Sequence, residues 1–199
     1  YEISLGLVGS EMCIRDRGKV FTIVKPVPHV RRLVVEATVT IKGWARRMPW
    51  RGWWKVAGVA VYKDRKNHWH LALVEAPEER GAGHFFELHE LYEGTWLAQN
   101  LKLTKLTQTV HFQAGERWEY GKPYRLRLAL TPEGILGEIF GPKGKLLYKC
   151  GYKFDNPKAV TFGRPALDNG GFLTEFDDVR VEASMPVRFE ERKRRALRP

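Results

Sequence analysis

Cysteine is nearly absent from this 199-residue chain: Cys13 and Cys150 are the whole complement. One lies in an atypical N-terminal segment and the other in a strand-like run, so no disulfide framework is expected and stability must come from a packed core. No window reaches the roughly 18 consecutive apolar residues of a membrane-spanning helix. Paired-cysteine zinc spacings, a Walker phosphate loop, a GxSxG nucleophile elbow and internal repeats are missing too. The sequence therefore excludes the common motif-borne classes, and its chemistry has to be sought in residues that folding brings together.

Aromatic residues and chain punctuation are plentiful. Seven Trp, seven Tyr and ten Phe accompany 19 Gly and 11 Pro, and short apolar runs alternate with turn residues. That composition favours strands over helices. Pro123 to Leu130 alternates apolar and polar positions without a break, Thr131-Pro132-Glu133-Gly134 turns the chain, and Ile135 to Phe140 returns. Gly141-Pro142-Lys143-Gly144 turns again, and Lys145 to Cys150 completes an antiparallel meander. Further on, in Leu173-Thr174-Glu175-Phe176-Asp177-Asp178-Val179-Arg180-Val181-Glu182, a period of two puts Phe176, Asp178 and Arg180 on one face. Asp177, Val179 and Val181 fall on the other, with the two valines toward a core.

This last run resembles the closing strand of a concanavalin A-like jelly roll, the superfamily of lectins, laminin G-like modules, carbohydrate-binding modules and some polysaccharide-cleaving enzymes. The resemblance covers about residues 19 to 184 and is strongest after Gly121. It implies an all-β fold, a two-sheet antiparallel jelly-roll sandwich. It also implies a role for Asp177, which aligns with an acidic residue that often helps hold a structural calcium ion. Such an ion takes about six to eight oxygen ligands, and the alternative is a carboxylate bonded to backbone amides. No cofactor is otherwise required.

The two ends of the chain read differently from its body. Residues 1 to 18 fit no strand of that fold and resemble a translated sequencing adapter, so they are set aside as a non-native leader. Glu2 and Glu11 argue against a secretory signal, and no other signal peptide is visible. Residues 185 to 199 read as a basic tail or a linker to a missing segment, with further domains of the same chain expected. The formal charge is +11, yet Arg188 to Pro199 alone hold six basic and two acidic residues. Many of the remaining cations, such as Arg125 and Arg127, alternate with strand apolars and read as a solvated outer face. No nucleic-acid module is recognisable, so specific nucleic-acid binding is not expected.

The chemistry-bearing stretch is a predicted hairpin, Asn67 to Val74 and His84 to Glu93, around the loop Pro77 to Gly83. A register setting Leu71 and Leu73 beside Phe86 and Leu88 also sets His70 opposite His89 and Ala72 opposite Glu87. His70, Glu87 and His89 then share one face. Such a trio can bond sugar hydroxyls, act as acid and base, hold a metal, or simply face water. A comparison with glycoside hydrolase family 16, which uses a Glu-x-Asp-x-(x)-Glu strand, fails. Glu87 and Glu93 lie roughly 20 Å apart along a strand, whereas a retaining carboxylate pair needs about 5 to 5.5 Å; Glu90 points to the other face.

Tryptophans crowd Gly43 to Trp54, where Pro49 and Gly52 imply a loop, and indoles in loops are hard to bury. Trp44, Trp50 and Trp53, with Arg51 beside them, are candidate sugar-binding residues, as are Trp96 and Trp118. Trp54 is assigned to the start of the next strand and to the core. The expectation is a carbohydrate-binding or accessory module of a larger polysaccharide-processing protein, secreted or periplasmic, whose partner is a polysaccharide or oligosaccharide, neutral or anionic. A hydrolase or lyase using His70, Glu87 and His89 is the alternative, and an architectural domain without ligand is a third.

Overall fold

A computed structural model describes the backbone of residues 2–6, 12–15, 19–23, 28–45, 52–81, 83–97 and 104–186, and side chains within 21–184 of these. Among the described residues fourteen strands form two antiparallel sheets stacked as a jelly-roll sandwich, and there is no α-helix. In the larger sheet β4 (Val30–Trp44) lies between β14 (Phe172–Pro186) and β10 (Pro123–Thr131). Beyond β10 follow β11 (Gly134–Phe140), β12 (Leu146–Lys153) and β9 (Thr107–Gln113), the middle members being the meander read from sequence. The smaller sheet runs β3 (Lys19–Ile23), β13 (Arg164–Gly170), β5 (Lys55–Asp64), β6 (Asn67–Glu75), β7 (His84–Tyr92) and β8 (Thr95–Trp96).

Residues 1 to 18 were expected to fit no strand of the jelly roll. Instead β1 (Glu2–Gly6) and β2 (Met12–Arg15) both pair with the outer edge of β14. An edge offers unpaired backbone groups to any extended segment that reaches it, so this pairing needs only strand propensity and proximity.

Alternation explains the core. From Leu33 to Ile41 every second residue of β4 is buried, and Leu33, Val35, Ala37 and Val39, with Leu126 and Leu128 from β10, face the opposing sheet. Val59, Trp69, Leu71, Leu73 and Leu88 answer from the smaller sheet. Gly137 on β11 makes room for this interdigitation: a Cβ there would sit 2.7 Å from Leu71 Cδ1. The Trp69 indole crosses the core to donate to the Val160 carbonyl at 3.0 Å, so its one polar atom is satisfied where it is buried.

The closing strand departs from simple alternation. Phe176 and Val181 are both buried, although five positions apart, because β14 carries a bulge between Asp177 and Arg180 with Asp178 at φ 48°. One extra residue shifts the phase, so Phe176 joins Val181 in the core and Val179 is only partly buried. Expecting Phe176 and the valines on opposite faces was therefore wrong. Aspartate tolerates left-handed backbone better than most residues, and the Asp177-Asp178 pair is where the bulge falls.

Candidate functional site

Two polar assemblies stand out, one on the outer face of the smaller sheet and one at its end. The first is built by β6 and β7, whose observed register pairs His70 with His89, Leu71 with Leu88, Ala72 with Glu87 and Leu73 with Phe86, as read from the sequence. With Leu71 and Leu88 in the core, period two turns His70, Glu87 and His89 outward together. His70 Nε2 lies 3.0 Å from Glu87 Oε1, and His89 Nδ1 lies 3.5 Å from Glu87 Oε2. Asp168, which no sequence motif marks, contributes Oδ2 at 2.8 Å from His70 Nδ1.

Asp168 reaches His70 because of what lies between them. β13 and β6 flank β5, and strands two apart in a sheet are separated by roughly 9 to 10 Å. Opposite this stretch β5 presents Gly58 and Ala60, side chains too small to block a bond passing over them. Trp96 on β8 covers the group, its ring stacked on His70 at 5.1 Å between centroids and 4.8 Å from that of His89. Burial alone pushes the Glu87 carboxyl up, but hydrogen bonds and charge interaction with His70 and His89 outweigh it and hold the group down at about 2. Glu87 is thus an anion in a nearly sealed position.

The second assembly is the last rung of the core-facing row. Lys55 pairs with Glu75 across β5 and β6, and Glu75 pairs with His84 across β6 and β7. Each sits two residues beyond a core residue, Ala57, Leu73 and Phe86, so their side chains point into the sandwich end. Lys55 Nζ and Glu75 Oε1 are 2.8 Å apart and buried. Glu75 Oε2 accepts from the Tyr120 hydroxyl, from Trp44 Nε1 at 3.4 Å, and lies 3.2 Å from His84 Nε2. Trp44 Nε1 also reaches the Tyr120 oxygen at 2.8 Å, and Lys55 Nζ sits 4.2 Å above the Trp44 ring. Burial pulls Glu75 toward protonation, yet the Lys55 and Tyr120 hydrogen bonds leave it below the ordinary carboxylate range. Burial and the neighbouring Glu75 charge push the Tyr120 hydroxyl strongly upward, so it stays a donor.

The tryptophans divide. Trp44 closes β4 and is 42% exposed, while Trp53, in the loop before β5, is 60% exposed. Trp54 was expected in the core but is half exposed, edge-on to Phe85; the inward position next to it belongs to Lys55. Trp118 is not a loop platform: it is fully buried, stacked on His84 at 3.7 Å and donating to the Val74 carbonyl at 2.9 Å. Trp96 is partly exposed but uses its face on the histidines. Trp50 and Arg51 lie outside the described residues. Beside Trp54 a groove of about 670 Å³ is lined by Arg80, His84, Phe85, Glu116 and Arg117 among others.

Asp177 is exposed, and its Oδ1 accepts the Asp178 backbone N–H at 2.8 Å, which places this carboxylate at the bulge. Glu90, unremarked as a functional residue in the sequence, is fully buried on the core face of β7. Its Oε1 accepts the Val160 N–H at 2.6 Å, and burial pushes its carboxyl up to about 7 despite that bond.

No protein family's sequence profile matches the chain, and no curated protein matches it. Solved structures do. The carbohydrate-binding module CBM66 from Bacillus subtilis is similar over 92% of this chain and 95% of its own, at 14% identity and a TM-score of 0.53. The enzymatically active domain of tailspike protein 2 from bacteriophage CBA120 is similar over 93% of this chain and 28% of its own, at 14% identity and a TM-score of 0.52. At such identities the likeness is one of fold, and the jelly-roll sandwich is what these proteins share with this chain.

Proposed function

We propose that this chain is a carbohydrate-binding or accessory module, concanavalin A-like in kind, belonging to a larger secreted or periplasmic protein that handles polysaccharides. The observation that carries this reading is the exposure of Trp44 and Trp53, with the Trp44 indole held in place by Tyr120 and the buried Glu75. Sugars present apolar ring faces and a fringe of hydroxyls, and an indole beside pre-positioned donors and acceptors matches both. Arg80 and Arg117 in the adjoining groove extend the match to carboxylated or sulfated chains. The likeness to CBM66 supports it at the level of fold. Calcium at Asp177 is no part of this reading, and among the described residues no helix is long and apolar enough to cross a membrane.

Retention in gels loaded with neutral and anionic polysaccharides, at two salt concentrations, separates specific recognition from charge attraction. Trp53→Ala is expected to weaken retention about tenfold, the worth of roughly one stacking contact. Because Trp53 is exposed, the unfolding midpoint should shift by no more than about 0.5 kcal/mol in stability. Undiminished retention in the variant would remove the site from this end of the sandwich. Failure of every polysaccharide to retain the wild type would leave the architectural role instead.

A second reading, a glycan-cleaving hydrolase or lyase, draws on the convergence of His70, Glu87 and His89. Glu87, held ionised, suits the part of a base rather than an acid. If any of these polysaccharides is cleaved, His89→Ala should abolish new reducing ends or unsaturated products; persisting cleavage would take His89 out of that mechanism.

A further inference from the structure

We propose that His70, Glu87 and His89 form a binding site for a zinc-class divalent transition ion, with Asp168 as the group that orients His70. Among the described residues this is the one cluster of three or more candidate ligands, and its donor atoms all lie within 4.8 Å of one another. Two imidazoles and one carboxylate are a borderline donor set. They suit zinc and its first-row neighbours and are poorly suited to calcium or magnesium, which take oxygen.

The distances agree. Zinc bonds of about 2.0 to 2.1 Å at tetrahedral angles place neighbouring donors roughly 3.3 Å apart. The structure has 3.0 Å for His70 Nε2 to Glu87 Oε1 and 3.5 Å for His89 Nδ1 to the other carboxylate oxygen, Oε2, and one donor atom from each residue lies within 4.8 Å of the others. Drawing three single donors around one ion therefore needs a closing of up to roughly 1.5 Å, which rotation of the His89 ring supplies, its side chain being the most exposed of the three. Three protein ligands leave a fourth position for water or for an oxygen of a bound molecule.

The surroundings fit the same assignment. His70 uses Nδ1 toward Asp168 at 2.8 Å, which directs its other nitrogen, Nε2, at the carboxylate it would share an ion with. A carboxylate behind a ligating imidazole fixes its tautomer and raises its basicity. The three donors sit on the adjacent strands β6 and β7, and Asp168 on β13, two strands from His70 in the same sheet, so the group is held by the backbone ladder rather than by loops.

Titration of the tag-free, chelator-treated full chain with zinc chloride tests this directly. One equivalent should bind at micromolar concentration and raise the thermal midpoint, and cobalt chloride should give the intense visible absorption of a four-coordinate ion. Glu87→Gln and His89→Ala should each lose that absorption, while Asp168→Asn should keep it with affinity lowered about 10- to 100-fold. His89 lies at the rim of the cluster, so its variant should keep the wild-type circular dichroism without metal. Absence of stoichiometric binding would overturn the proposal. So would cobalt absorption unchanged in both ligand variants, which would put the ion elsewhere, or lost equally in Trp53→Ala. None of these outcomes depends on whether the chain binds sugar, since polysaccharide retention is measured separately.

Discussion

Glu75→Ala should destabilise the domain by about 3 to 5 kcal/mol, the usual cost of removing one partner from a buried ion pair. Lys55 is 1% exposed, and its ammonium would be left buried without its carboxylate. The Tyr120 hydroxyl, Trp44 Nε1 and His84 Nε2 would lose their shared acceptor as well. The loss should be nearly independent of salt, because a buried pair is little screened. Urea unfolding of Glu75→Ala and of the double variant Glu75→Ala, Lys55→Met decides the cause: the second change removes the stranded charge and should recover most of the stability. A single variant within about 1 kcal/mol of wild type would show that the pair is hydrated and that the sandwich end is looser than its geometry. Glu75 also anchors Trp44 and Tyr120, so polysaccharide retention should fall in the single variant even at temperatures where it stays folded.

What the sequence made legible is what alternation alone decides. In β10 Tyr124, Leu126, Leu128 and Leu130 are buried and alternate with Arg125, Arg127 and Ala129, and Gly- and Pro-containing turns follow, so the meander could be read from period and punctuation. The β6 to β7 register was legible in part: putting Leu71, Leu73, Phe86 and Leu88 on a common face puts His70, Glu87 and His89 together on the other, and the observed pairing sets His70 opposite His89. Asp168 was not legible: its partnership needs the order of strands in the sheet and the small residues Gly58 and Ala60 on the strand between. Trp118 misled because its neighbours are polar, whereas its burial is decided by His84 and the Val74 carbonyl, far away in sequence. Trp54 misled by one position, which on a strand is a whole face. The bulge in β14 had a local signal, the Asp-Asp pair, but its effect on the faces of Phe176 and Val179 shows only once β4 is laid beside it.

Glu90 should make the domain lose stability as pH rises, against the direction set by Glu75 and Glu87. In the unfolded chain its carboxyl ionises near 4.5, while burial between the sheets pushes the folded value up to about 7. Between those values the unfolded chain has released a proton that the folded chain still holds, so it binds fewer protons and unfolding gains with each step in pH. The contribution is fully present below about pH 4.5 and is lost as pH climbs through 7, a total of about 3 kcal/mol from a difference of that size. Glu75 and Glu87 have folded values below the ordinary range, so their stabilisation is lost on acidification and is already complete above about pH 5.5. Comparison with Glu90→Gln removes the share of every other titrating group, because both proteins carry them. The amide retains an oxygen for the Val160 N–H but leaves its nitrogen where Glu90 Oε2 finds no hydrogen-bond partner among the described residues, so the variant should be no more stable than wild type at pH 5. At pH 8 it should be the more stable of the two by about 1 to 3 kcal/mol, with the curves crossing between. Unfolding curves for the two proteins that run parallel from pH 5 to 8 would mean that Glu90 titrates like an exposed carboxyl and that water reaches it beneath β7.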